Sequence, residues 1–292
     1  MKRILSGVSI RRQKRVTQPP LANEISLAAM NTLIVALDFP SEKRALELVK
    51  TLEGLPASFK VGLQLFTAAG PSIVRQIQKL GADVFLDLKF FDIPNTVSQA
   101  ALEAARLGVG MMTFHALGGD AMLRKARETL EAASAKEGWR VPTMLGVTIL
   151  TSMDQSTLAS VGIDRPLESM VCHLAGIVQA AGLHGIVCSP HEVASLREAG
   201  FDRLTFVTPG IRPKPIQETA QEAGRMPAAP VQAGYLRSQG QDDQARAATA
   251  RYAITGGADH LVVGRPITQA DNPRQVAEQF VQEINEARTE CA

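Results

Sequence analysis

Little in this 292-residue chain points toward covalent staples, membranes or bound metal. It has three cysteines, one tryptophan and two tyrosines. Cys172, Cys188 and Cys291 share no metal-type spacing and leave an odd one over, a usage that fits a reducing cytoplasm rather than a disulfide framework. No apolar run approaches the ~20 residues that span a bilayer. Ile4 to Ile10 is broken by Ser6, Gly7 and Ser9, so it lacks the apolar centre of a secretory signal. The five histidines, His115, His173, His184, His191 and His260, show no ligand spacing, and no Ser-His-Asp or Cys-His arrangement stands out. No Gly-rich fingerprint follows the first apolar run, which weighs against an open dinucleotide-binding sheet.

Excess charge is also missing. The formal net charge is +2, which does not by itself suggest a nucleic-acid partner. Its placement is uneven: residues 1–29 hold Lys2, Arg3, Arg11, Arg12, Lys14 and Arg15 against Glu24 alone. Taking these away from 31 bases and 29 acids leaves 25 and 28, a net of −3. The globular part is mildly acidic, and the basic character belongs to a tail. That tail, residues 1–30, is expected to be a disordered extension. Organelle targeting is the alternative its acid-poor composition allows, and Met30 reads as an alternative first residue.

What is present is regular. Hydrophobic residues make up 45% and charged residues 21%, ordinary for a soluble protein with a sizeable core. Short apolar runs alternate with amphipathic stretches from Leu33 onward. The runs are Leu33–Asp38, Phe59–Gly62, Val84–Phe90, Met111–His115, Thr143–Ile149, Gly185–Ser189, Leu204–Thr208 and His260–Gly264. Between them, helical spacing predicts helices from Ser41 to Leu52, Ile73 to Leu80, Pro94 to about Leu107, Asp120 to Ala135, Leu167 to Ala181, His191 to Ala199 and Asp243 to Thr255. A last one, Gln275 to Ala287, follows the final run. Eight two-sided apolar strands, each followed by a helix, predict a parallel sheet buried on both faces, and the count matches a single closed (β/α)₈ TIM barrel over residues 31–292. One segment breaks the rhythm. Residues 213–242 contain Pro213, Pro215, Pro227 and Pro230 with little periodicity, and read as a long inserted loop.

The third run organises the chemistry. Val84-Phe85-Leu86-Asp87-Leu88-Lys89 is a buried strand, yet it carries two charges two residues apart. Strand alternation puts Asp87 and Lys89 on one face and Leu86 and Leu88 on the other. Asp92 follows past the tip, and Pro94 suits the first turn of a helix. Burying such charges is costly. An ion pair that serves packing alone is the bland alternative; the third charge and the strand-end position weigh toward a site.

In a barrel the site forms at the C-terminal strand ends. The polar residues expected there are Asp38, Lys60, Asp87, Lys89, Asp92, His115, Thr151, Ser152, Ser189, Arg212 and Arg265. Thr208-Pro209-Gly210-Ile211-Arg212 and Val263-Gly264-Arg265-Pro266 follow strands seven and eight, the usual phosphate cradle of such barrels. A phosphorylated small molecule is therefore the expected substrate, against the alternative of two surface arginines after glycine turns.

These motifs carry a resemblance. Asp87-x-Lys89-x-x-Asp92-Ile93-Pro94-Asn95-Thr96, with the two arginine motifs in order, resembles the orotidine 5′-phosphate decarboxylase family from about Leu33 to Thr268. The resemblance implies a homodimeric barrel that makes UMP from orotidylate in pyrimidine biosynthesis without metal or organic cofactor. It implies Lys89 as proton donor and Asp87 facing the substrate carboxylate. Asp38 and Lys60 would hold the ribose hydroxyls. Asp92 and Thr96 would enter the neighbouring subunit's site. Thr151 would contact the pyrimidine, and Arg212, Gly264 and Arg265 the phosphate. Asp243-Gln244 matches a family Asp-Gln at the same distance before Gly-Arg-Pro, so Gln244 would be a further phosphate contact. The segment between Arg212 and Gln244 is longer than in familiar bacterial members. Two other readings remain: a magnesium-using sugar-phosphate decarboxylase or aldolase of the same superfamily, which would carry an acid where Lys60 stands, and a non-catalytic phosphate-binding protein, which would not need the charged ring.

Overall fold

The computed structural model describes residues 27–56, 58–213 and 246–291. Eight parallel strands close into a barrel: β1 (Leu33–Ala36), β2 (Ser58–Gly62), β3 (Asp83–Phe90), β4 (Met111–His115), β5 (Thr143–Val147), β6 (Gly185–Val187), β7 (Thr205–Thr208) and β10 (His260–Val263). Each pairs with its sequence neighbour, and β10 completes the ring by pairing with both β7 and β1. The eight predicted strands are all present, and most are a residue or two shorter than their apolar runs. Two further strands of two residues each, β8 (Ile211–Arg212) and β9 (Ala248–Thr249), form a separate parallel pair beside the barrel.

Alternation along the strands divides the core in two. Leu33, Val35, Val84, Leu86, Met112, Phe114, Leu261 and Val263 face outward into one continuous layer shared with the helices. Ile34, Ala36, Phe85, Leu145, Val207 and Val262 face inward and fill the barrel. Each large apolar side chain buried in this way stabilises the fold by roughly 1.5–3 kcal/mol. The inward rows do not stay apolar. On β3 the row runs from Phe85 to Asp87, and β2 brings Lys60 to the same interior, so charge lies above a packed apolar floor.

The helices follow their local signals. Ser41 Oγ accepts from the Arg44 amide and starts Glu42–Thr51; Pro94 opens Pro94–Arg106; left-handed Gly138 ends Gly119–Glu137. Leu63–Ala69 and Gln155–Ser160 are helices that periodicity did not predict, each too short to show an apolar repeat. The helix expected over 243–255 is Ala250–Thr255: Ala248 and Thr249 pair with the chain after β7, and Thr249 Oγ1 accepts from the Tyr252 amide to start the helix. Residues 243–245 lie outside the described residues, as do 1–26 of the tail and 214–242 of the inserted segment. The tail boundary expected at residue 30 falls within an ordered turn, Leu27–Met30, whose Ala29 is buried.

One glycine is required by close approach. A Cβ on Gly185 would lie 2.3 Å from the Thr205 carbonyl oxygen of β7 and 2.9 Å from Leu145 of β5. Gly185→Ala must separate strands that cannot move independently in a closed ring. It is expected to cost about 1–3 kcal/mol, lowering the melting temperature by roughly 2–4 °C for each kcal/mol. Differential scanning calorimetry checks this, and an unchanged melting temperature would show that the ring gives way at β6.

Candidate active site

At the C-terminal mouth of the barrel, β1, β2 and β3 converge four charges. Lys89 Nζ lies 2.9 Å from both Asp87 carboxylate oxygens. Lys60 Nζ lies 3.5 Å from Asp87 Oδ2 and 3.1 Å from Asp38 Oδ1. Asp87 is buried, whereas Asp38 at the rim is largely exposed. Gly62 makes room for this array: a Cβ there would meet Lys60 Nζ at 3.0 Å and Asp38 Oδ1 at 3.2 Å.

Burial alone would raise the Asp87 pKa. The attraction of Lys60 and then Lys89, with hydrogen bonds from Lys89 and Thr113, outweighs it and holds the carboxyl below its ordinary range. Burial likewise opposes charge on Lys60, yet Asp87 and then Asp38 overcome it and keep the ammonium above its ordinary value. One carboxylate between two ammoniums is thus the electrostatic centre of the site.

The backbone departs from simple alternation here. Lys89 has φ of 51°, the one described non-glycine residue in the left-handed region. Its strand loses register with β4 between Leu86 and Phe90. Asp87 and Lys89 still meet, as the sequence leads one to expect, but through a bent strand tip rather than a continuous pleat. The Lys89 amide donates to Thr113 Oγ1 at 2.9 Å, and Thr113 Oγ1 donates to Asp87 Oδ1 at 2.9 Å. The sequence reading missed Thr113. Its signal is a hydroxyl among Met111, Met112 and Phe114, on the inward face of β4.

A cavity of about 520 Å³ opens above the array and gathers most of the expected residues. Asp38, Lys60, Asp87 and Lys89 line one part; Thr151, Ser152, Arg212, Gly264 and Arg265 line others, joined by Gln269, which no sequence signal singled out. Gly264 precedes the turn Arg265–Thr268, which sets Arg265 at the rim. Arg212 lies on β8, and its guanidinium donates to the Ile211 carbonyl at 3.0 Å. His115 and Ser189 do not line this cavity. The His115 ring lies against Phe91 with centroids 5.5 Å apart, and the Ser189 amide donates to Glu192 Oε2 at 2.8 Å. Asp92 and Thr96 lie outside the cavity lining of this chain, both exposed. Gln244 falls outside the described residues.

A second buried ion pair stands beside the site. Glu192, after β6, pairs with Arg246, whose other guanidinium nitrogen reaches the Leu150 carbonyl at 3.4 Å. His191 Nε2 bonds the Ala247 carbonyl at 3.1 Å. These contacts fasten the chain entering β9 to the loop that carries Thr151. Among the described residues, no three His, Cys, Asp or Glu side chains stand together as a metal site. No described helix is long and apolar enough to cross a membrane.

The charged array predicts a pH dependence with a definite sign. A carboxyl whose folded pKa is depressed contributes stability above its unfolded pKa and loses it as pH falls through the folded value. A lysine whose folded pKa is raised contributes below its unfolded pKa and loses it as pH rises through the folded value. The melting-temperature gap between wild type and Asp87→Asn is therefore expected to be flat from about pH 5 to about pH 9 and to shrink below about pH 4. A gap that persists undiminished at pH 3 would contradict the ionised Asp87.

Comparison with known proteins agrees with this geometry. The family model described as orotidine 5′-phosphate decarboxylase / HUMPS family matches residues 31–237 and 231–280. The chain is 45% identical over 262 residues to the orotidine 5′-phosphate decarboxylase of Syntrophotalea carbinolica, covering 90% of this chain and 98% of the relative. It is 41% identical over 255 residues to that of Saccharophagus degradans, covering 87% and 95%. Among solved structures, the orotidine 5′-phosphate decarboxylase of Lactobacillus acidophilus superposes with a TM-score of 0.70 at 34% identity, covering 87% of this chain and 99% of that one. With a charged array, a two-arginine cavity and near-complete coverage of its relatives, this chain belongs to the orotidine 5′-phosphate decarboxylase / HUMPS family.

Proposed function

We propose that this chain decarboxylates orotidine 5′-phosphate to UMP, in de novo pyrimidine biosynthesis, as a cytoplasmic homodimer without metal or organic cofactor. The observation that carries the reading is the Lys60–Asp87–Lys89 array beneath a cavity that Arg212 and Arg265 also line. Breaking the bond from C6 to the carboxylate leaves an electron pair on C6 that the pyrimidine π-system cannot delocalise. Lys89 supplies a positive charge already in place where that pair develops, then transfers its proton to C6 as CO₂ departs. Solvent restores the proton to Lys89. Asp87, facing the leaving carboxylate, adds a repulsion that disappears as CO₂ is lost.

The rest of the cavity holds the substrate. Asp38 and Lys60 take the ribose hydroxyls, Thr151 the pyrimidine, and Arg212, Arg265, Gly264 and Gln244 the phosphate. Reactions this difficult need barrier reductions approaching ~23 kcal/mol, so binding energy from the remote phosphate must contribute to aligning C6 with Lys89. Lys60 also separates this reading from the magnesium-using sugar-phosphate enzymes, because an ammonium there, held between Asp38 and Asp87, occupies the place of their metal-binding acid.

Two experiments test the assignment. The wild-type protein should consume orotidylate, followed by its loss of ultraviolet absorbance, at the same rate with and without a chelator. Lys89→Ala should abolish turnover while leaving the melting temperature and UMP binding largely unchanged. Decarboxylation by Lys89→Ala within tenfold of wild type would remove Lys89 from its role.

The shared site has its own test. Phe91 and Ile93 are 59% and 67% exposed beside Asp92, Asn95 and Thr96, a surface suited to a second subunit. Asp92 and Thr96 would then complete the partner's cavity. Lys89→Ala and Asp92→Asn proteins, each nearly inactive, are unfolded and refolded as an equal mixture. Half the dimers are mixed and half of their sites whole, so roughly a quarter of wild-type activity should return by two-fold symmetry. Proven subunit exchange without recovery would place Asp92 in its own chain's site.

A further inference from the structure

Lys89 occupies a conformation that its neighbours must impose. A lysine at φ of 51° has its Cβ against the backbone and holds this state only where surrounding contacts over-determine it. The register break between β3 and β4 removes the ordinary ladder partners at this point. The Lys89 amide bonds instead to the side chain of Thr113, 24 positions later and fully buried on β4.

The direction of both Thr113 hydrogen bonds is fixed by chemistry. An amide N–H only donates, so Thr113 Oγ1 accepts from Lys89 at 2.9 Å. An ionised carboxylate only accepts, so the hydroxyl proton of Thr113 points to Asp87 Oδ1 at 2.9 Å. Asp87 in turn receives the Lys89 ammonium on both oxygens. The result is a closed ring of contacts: Lys89 amide to Thr113, Thr113 to Asp87, and Asp87 to the Lys89 side chain. Because Thr is branched at Cβ, its χ1 has few alternatives when packed, so the ring has little slack.

We infer that Thr113 is a positioning residue for the reaction: its hydroxyl pins the left-handed backbone of Lys89 and the carboxylate of Asp87 together, fixing the ammonium over the reacting carbon. This inference rests on the reading of Lys89 as proton donor. Valine at position 113 keeps the volume but offers neither contact. The freed Lys89 would turn toward an extended conformation and carry its Nζ away from Asp87. A displacement of about 1 Å in a catalytic group can cost on the order of a hundredfold in rate. Serine preserves both contacts.

The experiment compares Thr113→Val, Thr113→Ser and Thr113→Ala by steady-state kinetics, melting temperature and amide hydrogen exchange. For Thr113→Val, kcat is expected to fall roughly ten- to a hundredfold with KM within about threefold of wild type. Thr113→Ser is expected to recover kcat to within about fivefold of wild type. The Lys89 amide should be protected from exchange in wild type and Thr113→Ser, and exchange at least tenfold faster in Thr113→Val. If Thr113→Val does not fold, Thr113→Ala takes its place with the same expectations. A kcat retained within twofold in the variant lacking the hydroxyl overturns the inference. So does a loss shared equally by Thr113→Ser, or one accounted for by the unfolded fraction. The exchange arm does not use the reaction: wild type inactive on orotidylate would sink the proposed function, whereas an unprotected Lys89 amide in wild type would sink the lock itself.

Discussion

Everything at the mouth of this barrel depends on one carboxylate serving two ammoniums. Asp87 is buried where an isolated charge would be costly, and it stays ionised because Lys60 approaches from β2 and Lys89 from two residues further along the same strand. Removing Asp87 would take from both lysines the carboxylate they share, whereas removing either lysine leaves Asp87 one ammonium partner. Such an arrangement resists movement: its members lose more by moving apart than flexible surface pairs do, because burial of Asp87 and Lys60 leaves less water to replace the lost contact. Stability and function draw on the same contacts, and electrostatic preorganisation is the common consequence.

The barrel makes this affordable by supplying a floor. The inward row of apolar side chains, with Phe85 at its centre, excludes water from below the charges, while the outward layer fixes the strands to their helices. The charges above that floor come from Lys60 of β2 and from Asp87 and Lys89 of β3, with the Thr113 hydroxyl of β4 beside them. Each side of the cavity is held separately: the arginine side by the β8–β9 pair and by Arg246 locked to Glu192, the lysine side by the strand tips. Substrate must therefore fit between two groups of residues whose spacing is set by the ring and not by the ligand.

Much of this was legible in the residues and some was not, for physical reasons. The eight strands could be read because two-sided burial demands continuous apolar runs, and Asp87 and Lys89 because charges within such runs need a cause. The left-handed turn at Lys89 was invisible, since alternation assumes an extended chain and nothing in Leu88-Lys89-Phe90 announces the exception. Thr113 was overlooked because threonine is common in strands for its shape, which hides the cases where its hydroxyl matters. The Glu192–Arg246 pair joins residues 54 positions apart, a separation over which no local pattern operates. Asp92 and Thr96 were identifiable by motif alone; in the single chain they are exposed residues beyond the strand tip.

The closing strand has a consequence for how the protein is made. β10, at His260–Val263, is the element that pairs with both β7 and β1, so the ring cannot close until the first 263 residues are available. During synthesis, a chain emerging from the ribosome presents two unpaired parallel edges throughout the time needed to make everything between Ala36 and His260. Open edges of apolar strands invite pairing with other chains. Arg265 and the helix Pro273–Glu290 arrive only after that closure, so a prematurely terminated product would combine sticky edges with an incomplete cavity. Quality control acting on nascent chains would meet this protein at its most vulnerable just before β10 is made.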